Sequence, residues 1–197
     1  MTVDHKFLRN LYAEPRPTSL AKVQYKIDQH CREFIGRSPF IILGTDGDVS
    51  PKGDFPGFVD VLDDNTIAIP DRSGNNRLDS YINILKNPKV AVMFLIPGIS
   101  EVLRIRGMAE ISQDKNLLVK MSVNSQIPKT ALIISVNEIY LHCAKAIARS
   151  DIWNPDKLVK NYSTREMFAE HVGKSKKEFS DYYDNATNEA LTSEGRK

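Results

Sequence analysis

The chain has 197 residues, 41% hydrophobic and 26% charged, with 27 Lys and Arg against 25 Asp and Glu for a formal charge of +2. That length can bury one sizeable core with helical appendages, and so even a balance supplies no global field to recruit nucleic acid or an anionic membrane. The apolar runs fall short of the ~20 residues of a membrane span, MTVDHKFLRN lacks a secretory pattern, and Cys31 and Cys143 make neither a disulfide framework nor a zinc pattern, so a soluble, cytoplasmic protein is expected.

Thr18 or Ser19 can cap a helix whose apolar positions Leu20, Val23, Ile27, Cys31 and Phe34 fall at helical spacing. Pro15 and Pro17 punctuate its approach, and Gly36, with Pro39 close behind, is its predicted end. PFIILGT (39–45), GFVDVLD (57–63) and NTIAIPD (65–71) read as strands, with Asp63-Asp64-Asn65 suited to a tight hairpin. Between the first two, the acidic stretch 45–54 lacks the glycine and terminal Glu of a calcium loop and reads as a turn-rich connection. A helix is predicted at about 78–86, with Leu78, Ile82 and Leu85 on one face, and another at about 113–124. KVAVMFLI (89–96), EVLRIRGMAEI (101–111) and TALIISVNEIYLH (130–142) add three strands, the first two linked at Pro97-Gly98. Five or six strands with mostly short links argue for an antiparallel sheet closed into a small barrel, which would also remove exposed edges. Beyond residue 151, TREMFAEHVG and KKEFSDYYDNA are charged helical stretches whose aromatics (Phe168; Phe179, Tyr182, Tyr183) are expected to dock on the barrel or on a partner subunit.

The densest polar stretch is Pro70-Asp71-Arg72-Ser73-Gly74-Asn75-Asn76-Arg77, between a strand and a helix start. Two arginines beside free helix N–H groups suit a phosphate, because the backbone donors fix it and guanidinium groups bind its oxygens in pairs. The plain alternative is a solvated loop. Lys52 could add one charge to an anion site there. After the last strand, Lys145 and Arg149 stand four apart, on one face if the segment is helical, so an anion or carboxylate is expected between them. Trp153 could stack on a planar ligand or cap the core. Arg104 and Arg106 share one face of a strand; covered, that face needs an anionic partner, and on an open exterior it would be solvated. No GxGxxG, P-loop, HExxH or GxSxG is present, and the four histidines show no metal-ligand spacing. A nucleophile-based hydrolase is therefore not expected, and no metal site is expected.

The run TIAIPDRSGNNRLDSYINILKNPKVAVMFLIPG, then LRIRG, then YLHCAKAIARSDIW, resembles the pyridoxamine 5′-phosphate oxidase-like flavoproteins, in particular their branch of FMN-dependent proteins of unassigned substrate. The likeness covers about 39–155. It implies a mainly β fold: a six-stranded antiparallel split barrel with flanking helices. Residues 1–38 would form an N-terminal helical segment, 39–155 the FMN-binding barrel, and 156–197 a C-terminal helical extension. It also implies FMN as cofactor and a homodimer with two flavin sites at the subunit interface. By the same resemblance, Ile69 and Pro70 run along the flavin ring. Asn76 and Arg77 hold the FMN phosphate, with Arg72 and Ser73 assisting. Lys52 stands nearest to an earlier basic position, Arg104 comes from the arginine strand, and Lys145, Arg149 and Ser150 reach the flavin of the other subunit.

Two departures bear on activity. Tyr140-Leu141-His142 stands where the oxidase carries Arg-x-His, and MSVNSQIPKT (121–130) does not reproduce its substrate-phosphate loop. The resemblance therefore carries the cofactor and not the substrate. The expectation is an FMN-dependent oxidoreductase acting on an unidentified small molecule or electron donor, with the flavin doing the chemistry and no acid–base residue singled out. The alternative is a non-catalytic protein that holds FMN, haem or pyridoxal phosphate for storage or sensing.

Overall fold

The alternating run after the Pro97-Gly98 turn forms β6 (Val102–Ser112), whose Leu103, Ile105 and Ala109 are buried while Arg106, Met108 and Glu110 are exposed on the opposite face. In the computed structural model, which describes residues 3–195, β6 sits at the middle of one antiparallel sheet. Its companions are β1 (Phe40–Thr45), β2 (Asp48–Gly53), β3 (Asp60–Val61), β4 (Thr66–Pro70), β5 (Lys89–Leu95) and β7 (Ala131–His142), in the order β2-β1-β5-β6-β7-β4-β3. The sheet is seven-stranded and not closed, with β2 and β3 as its edges. That corrects the six-stranded closed barrel expected above. Eight α-helices accompany the sheet among the described residues, so the content is mixed α/β rather than mainly β.

The extra strand is β2, which comes from the stretch read as a turn-rich connection. Gly47, at φ 73°, makes the turn that lets Asp48 pair with Thr45. As an edge strand, β2 carries polar residues on its open side and tolerates Pro51. A search for apolar runs passes over such a strand. The hairpins at 62–66 and 96–99 form as predicted, the first braced by Asn65 N–H donating to Asp63 Oδ1 at 2.7 Å.

The core lies on one face of the sheet. Ile41, Leu43, Ile67, Phe94, Leu103, Ile105, Ile134 and Ile139 are all 2% exposed or less. α4 (Asp79–Lys86) packs on it through Ile84 and touches β1, β2 and β6. α5 (Lys115–Lys120), shorter than the expected 113–124, covers the other face at the β4–β7 end, where Leu118 and Met121 meet Ala68 and Ala131. Between Arg106 and Gly107 the β6–β7 register shifts by a bulge.

Before the sheet, α1 (His5–Leu11) and α2 (Pro17–Ala21) lead to α3 (Gln29–Arg37). The single helix expected from residue 18 to 36 is thus broken. Gln24 and Ile139 exchange two backbone hydrogen bonds, of 2.9 and 2.8 Å, and hold the intervening chain extended against β7. Ile27 is buried in the core beside this bridge, and Asp28 restarts the helix by accepting from the Cys31 N–H. α3 runs through Gly36 rather than stopping there. After β7 come α6 (Lys145–Ser150), α7 (Thr164–His171) and α8 (Lys176–Ser193), the last opened by a Ser175–Glu178 capping box. The Phe168 and Phe179 rings stack at 5.5 Å with Tyr183 alongside, so these aromatics close α7 on α8. The far end of α8 meets the loop after α5, where Asn124 donates to the Glu194 carbonyl at 2.6 Å. Among the described residues no helix is long and apolar enough to cross a membrane.

Candidate functional site

β4 delivers the polar turn. Ile69 and Pro70 are buried and paired with Leu132 and Ala131, and Asp71 makes one more backbone bond, to the Thr130 carbonyl at 3.0 Å. The chain then leaves the sheet. Asn76 (φ 58°) and Leu78 (φ 61°) sit in the left-handed region, common for asparagine and costly for leucine. Leu78 is also the N-cap of α4 and supplies no side-chain hydrogen bond, so the first-turn amides of that helix have no capping side chain. Ser73, Asn76 and Arg77 are exposed around this helix start. The Arg77 N–H donates to Asn75 Oδ1 at 3.0 Å, and its Nε to Asp79 Oδ2 at 2.7 Å. Hydrogen bonding to Asp79, and that residue's charge, hold the guanidinium above its ordinary pKa. With its side chain 71% exposed, Arg77 donates no hydrogen bond through Nη1 or Nη2 among the described residues.

Arg72 turns the other way. Its Nε donates to Asp54 Oδ2 and its Nη1 to the Met121 carbonyl, so it braces the turn from inside. Lys52, on β2, is half-buried. Desolvation lowers its pKa while the charge of Asp71 works in the opposite direction. Burial pushes the Tyr81 hydroxyl up to about 12, and that hydroxyl shares a hydrogen bond with Thr130 Oγ1 at 3.1 Å. Ile69, Pro70, Arg72, Ser73, Asn76 and Arg77 thus lie at the end of β4 and in the turn that follows it, and the Arg72–Asp54 pair ties that turn to the end of β2, two residues from Lys52.

The remaining predicted residues stand elsewhere. Pro70 pairs with Ala131, whereas Arg104 pairs with Tyr140, nine positions further along β7 and on the order of 30 Å of strand away. Lys145, Arg149 and Ser150 lie beyond that, exposed on α6. Within α6, Arg149 Nε donates to the Lys145 carbonyl at 3.1 Å and Ser150 Oγ to the Ile147 carbonyl at 3.0 Å. The guanidinium thus has a backbone partner where an anion was expected. Trp153 Nε1 donates to the Ile99 carbonyl at 2.9 Å and ties the chain after α6 to the β5–β6 turn. Arg106 faces Glu138 at 3.5 Å. Arg104 instead lies 5.5 Å from the Tyr140 ring centre with Nη1 3.5 Å from His142 Nδ1, and Lys22 Nζ stands 5.4 Å from the same ring. Lys22 escaped the sequence reading because its segment has helical periodicity and nothing local points to β7. Among the described residues no group of His, Cys, Asp or Glu could hold a metal ion.

A sequence profile of the family described as pyridoxamine 5′-phosphate oxidase matches residues 27–143, a span that holds all seven strands, the polar turn and α4. The chain belongs to the pyridoxamine 5′-phosphate oxidase family. Lys22, Lys145, Arg149 and Ser150 fall outside the span that the family matches. No curated protein matches. Similar solved structures include HupZ of Group A Streptococcus (23% identity, TM-score 0.45, covering 58% of this chain and 93% of that one). Others are general stress protein 26 of Bacillus anthracis (20%, 0.41, 57% and 94%) and an FMN-binding protein of Syntrophomonas wolfei (16%, 0.39, 57% and 88%).

Proposed function

We propose that this protein is an FMN-binding flavoprotein and an oxidoreductase that acts on a small molecule. The observation that carries the reading is the turn at 71–78. It lies inside the family match, ends at an uncapped helix start, and presents Arg77 with two uncommitted nitrogens. A phosphate monoester asks for that donor set: backbone N–H groups at a helix N-terminus and a guanidinium fork. Arg77, Asn76 and Ser73 would hold the phosphate from outside, Lys52 would add charge from β2, and Arg72 would keep the turn in place through Asp54 and Met121. Ile69 and Pro70 offer the backbone edge of β4 to the ring.

When bound, FMN supplies the hydride and electron chemistry. The chain's own contribution is to bind, orient and neutralise charge. In this reading the open sheet forms the family's split barrel, and two copies assemble into a homodimer. The dimer is supported by the distance along β7: Lys145, Arg149 and Ser150 would meet the flavin of the second copy rather than their own. Arg104 stays with Tyr140 and His142.

The visible spectrum of the purified protein tests this, recorded before and after adding FMN and removing the excess. Flavin bands that remain with the protein are the expected result, and a protein that stays colourless overturns it. Reduction of the bound flavin by NAD(P)H, followed by reoxidation in air, is expected of the oxidoreductase. A flavin that no reductant or substrate turns over would leave a carrier.

A further inference from the structure

The last turn of α8 is seated on a tight hairpin that follows α5. Val123 and Gln126 exchange backbone hydrogen bonds of 3.2 and 2.8 Å, and Asn124 (φ 48°) and Ser125 (φ 64°) take the left-handed conformation at the tip between them. From that tip the Asn124 amide reaches the Glu194 carbonyl. Beside it α8 ends on Gly195, whose φ of 66° is the usual left-handed helix stop. A Cβ on Gly195 would lie 1.6 Å from Asn124 Nδ2, so the helix end fits the tip at a distance that only glycine allows.

This contact brings charge toward the turn at 71–78. Three residues before Asn124, the Met121 carbonyl accepts from Arg72 Nη1. Burial lowers the Arg72 pKa, and the charge of the half-buried Glu194 works against that lowering. Arg72 is already paired with Asp54, so Glu194 is a second carboxylate on the inner side of the turn. A phosphate dianion and a carboxylate close together in a partly desolvated place oppose each other. α7 and α8 close on each other through Phe168 and Phe179. Both follow the span 27–143 that the family matches, so the contact belongs to this chain's extension rather than to the family's sheet.

We propose that the end of α8 is an autoinhibitory strap. Seated on the hairpin at 123–126, it holds a carboxylate within reach of the turn at 71–78, and a phosphate monoester entering that turn must lift the strap or bind against its charge. The proposal rests on reading the turn as the FMN phosphate site. Asn124 and Gly195 position the strap, and Glu194 supplies the opposing charge.

The test measures FMN affinity of the full chain by fluorescence quenching at fixed ionic strength. Glu194→Gln removes the charge and keeps the backbone bond, whereas Asn124→Ala and Gly195→Ala unseat the strap from its two sides. Each is expected to tighten FMN binding about three- to tenfold, the scale of one partly screened charge at short range. Glu189→Gln, the same charge change at an exposed position earlier on α8, should leave the affinity as it is. In the unaltered protein, FMN should speed hydrogen exchange of the amides at 190–194 as the strap lifts, or leave it unchanged if the anion binds against the charge.

Equal FMN affinity in the unaltered protein and the three variants would overturn the strap and leave the flavin reading standing. Weaker binding in the variants, or an equal gain in Glu189→Gln, would overturn it as well. FMN binding by none of these proteins would remove the flavin reading and the strap with it. Binding by the variants alone would show a strap that closes the site fully.

Discussion

Arg72 Nε donates to Asp54 Oδ2 at 2.5 Å, with the carboxylate 1% and the guanidinium 18% exposed. Together with the Met121 carbonyl, the pair ties three segments that are distant in sequence: the end of β2, the turn after β4 and the end of α5. Removing one partner strands the other charge away from water. Arg72→Ala is therefore expected to cost on the order of 3 kcal/mol in urea unfolding. Arg72→Lys should recover only part of it, since one ammonium cannot reproduce the geometry of Nε and Nη1. A loss below about 1 kcal/mol would class the pair with solvent-screened surface bridges.

Gly107 is the second structural test. A Cβ at this position would lie 2.2 Å from the Ser135 carbonyl oxygen and 2.9 Å from Ile134 Cγ2, at the bulge where β6 changes register against β7. Backbone cannot retreat as a flexible side chain can. Gly107→Ala should lower stability by about 1–3 kcal/mol, read from the same urea curves. Gly36→Ala, in a helix with nothing within 4 Å of the added carbon, should be neutral or mildly stabilising.

Arg77 separates binding from folding. Among the described residues its guanidinium hydrogen-bonds to the neighbouring Asp79 alone, its bond to Asn75 comes from the backbone N–H that alanine keeps, and it is well exposed, so Arg77→Ala should leave the unfolding curve unchanged. FMN affinity, measured by fluorescence quenching, should fall about ten- to a hundredfold, the scale of a lost charge-assisted hydrogen bond. An unchanged dissociation constant would remove Arg77 from the phosphate site.

Alkaline pH should loosen the fold. Burial raises the Cys31 thiol from 9.0 to about 12 and the Tyr81 hydroxyl from 10.0 to about 12. Between those limits the unfolded chain has released protons that the folded chain still holds. The unfolded state thus binds fewer protons, and stability falls as pH rises from about 9 to 12, by at most about 1.4 kcal/mol per pH unit for each group. Tyr81→Phe should flatten the upper part of that decline in pH-dependent urea melts.

The same burial predicts a labelling pattern. Iodoacetamide at pH 8 should modify the exposed Cys143 and spare the half-buried Cys31 until the protein is unfolded. Equal labelling of both cysteines in the native protein, seen by peptide mass mapping, would show that the segment around Cys31 opens readily.

Much of this protein is readable in one dimension. Six of the seven strands are apolar or alternating, because their inward residues must be buried, and the arginine-bearing turn announces itself by composition. What escapes has a local reason in each case. β2 is an edge strand, so half of its surface faces water and its polar residues, with Pro51, carry no apolar run. The helix expected from residue 18 to 36 keeps its period across a break that only the pairing of Gln24 with Ile139 creates. Whether the strands close is also non-local, since it depends on whether β2 and β3 find each other, and they remain edges.

The division is sharpest among the arginines. Sequence marks Arg72, Arg77, Arg104 and Arg106 alike as candidates for anions, because a charged side chain beside a strand reads the same whatever lies opposite. Tertiary structure alone sorts them: Arg72 goes inward to Asp54, Arg106 to Glu138, and Arg104 joins Lys22 and His142 on Tyr140, while Arg77 stays at the surface beside an uncapped helix. Residue type sets what a group can bind, and the register of neighbouring strands sets what it meets, because a charge is satisfied only by partners a few ångströms away.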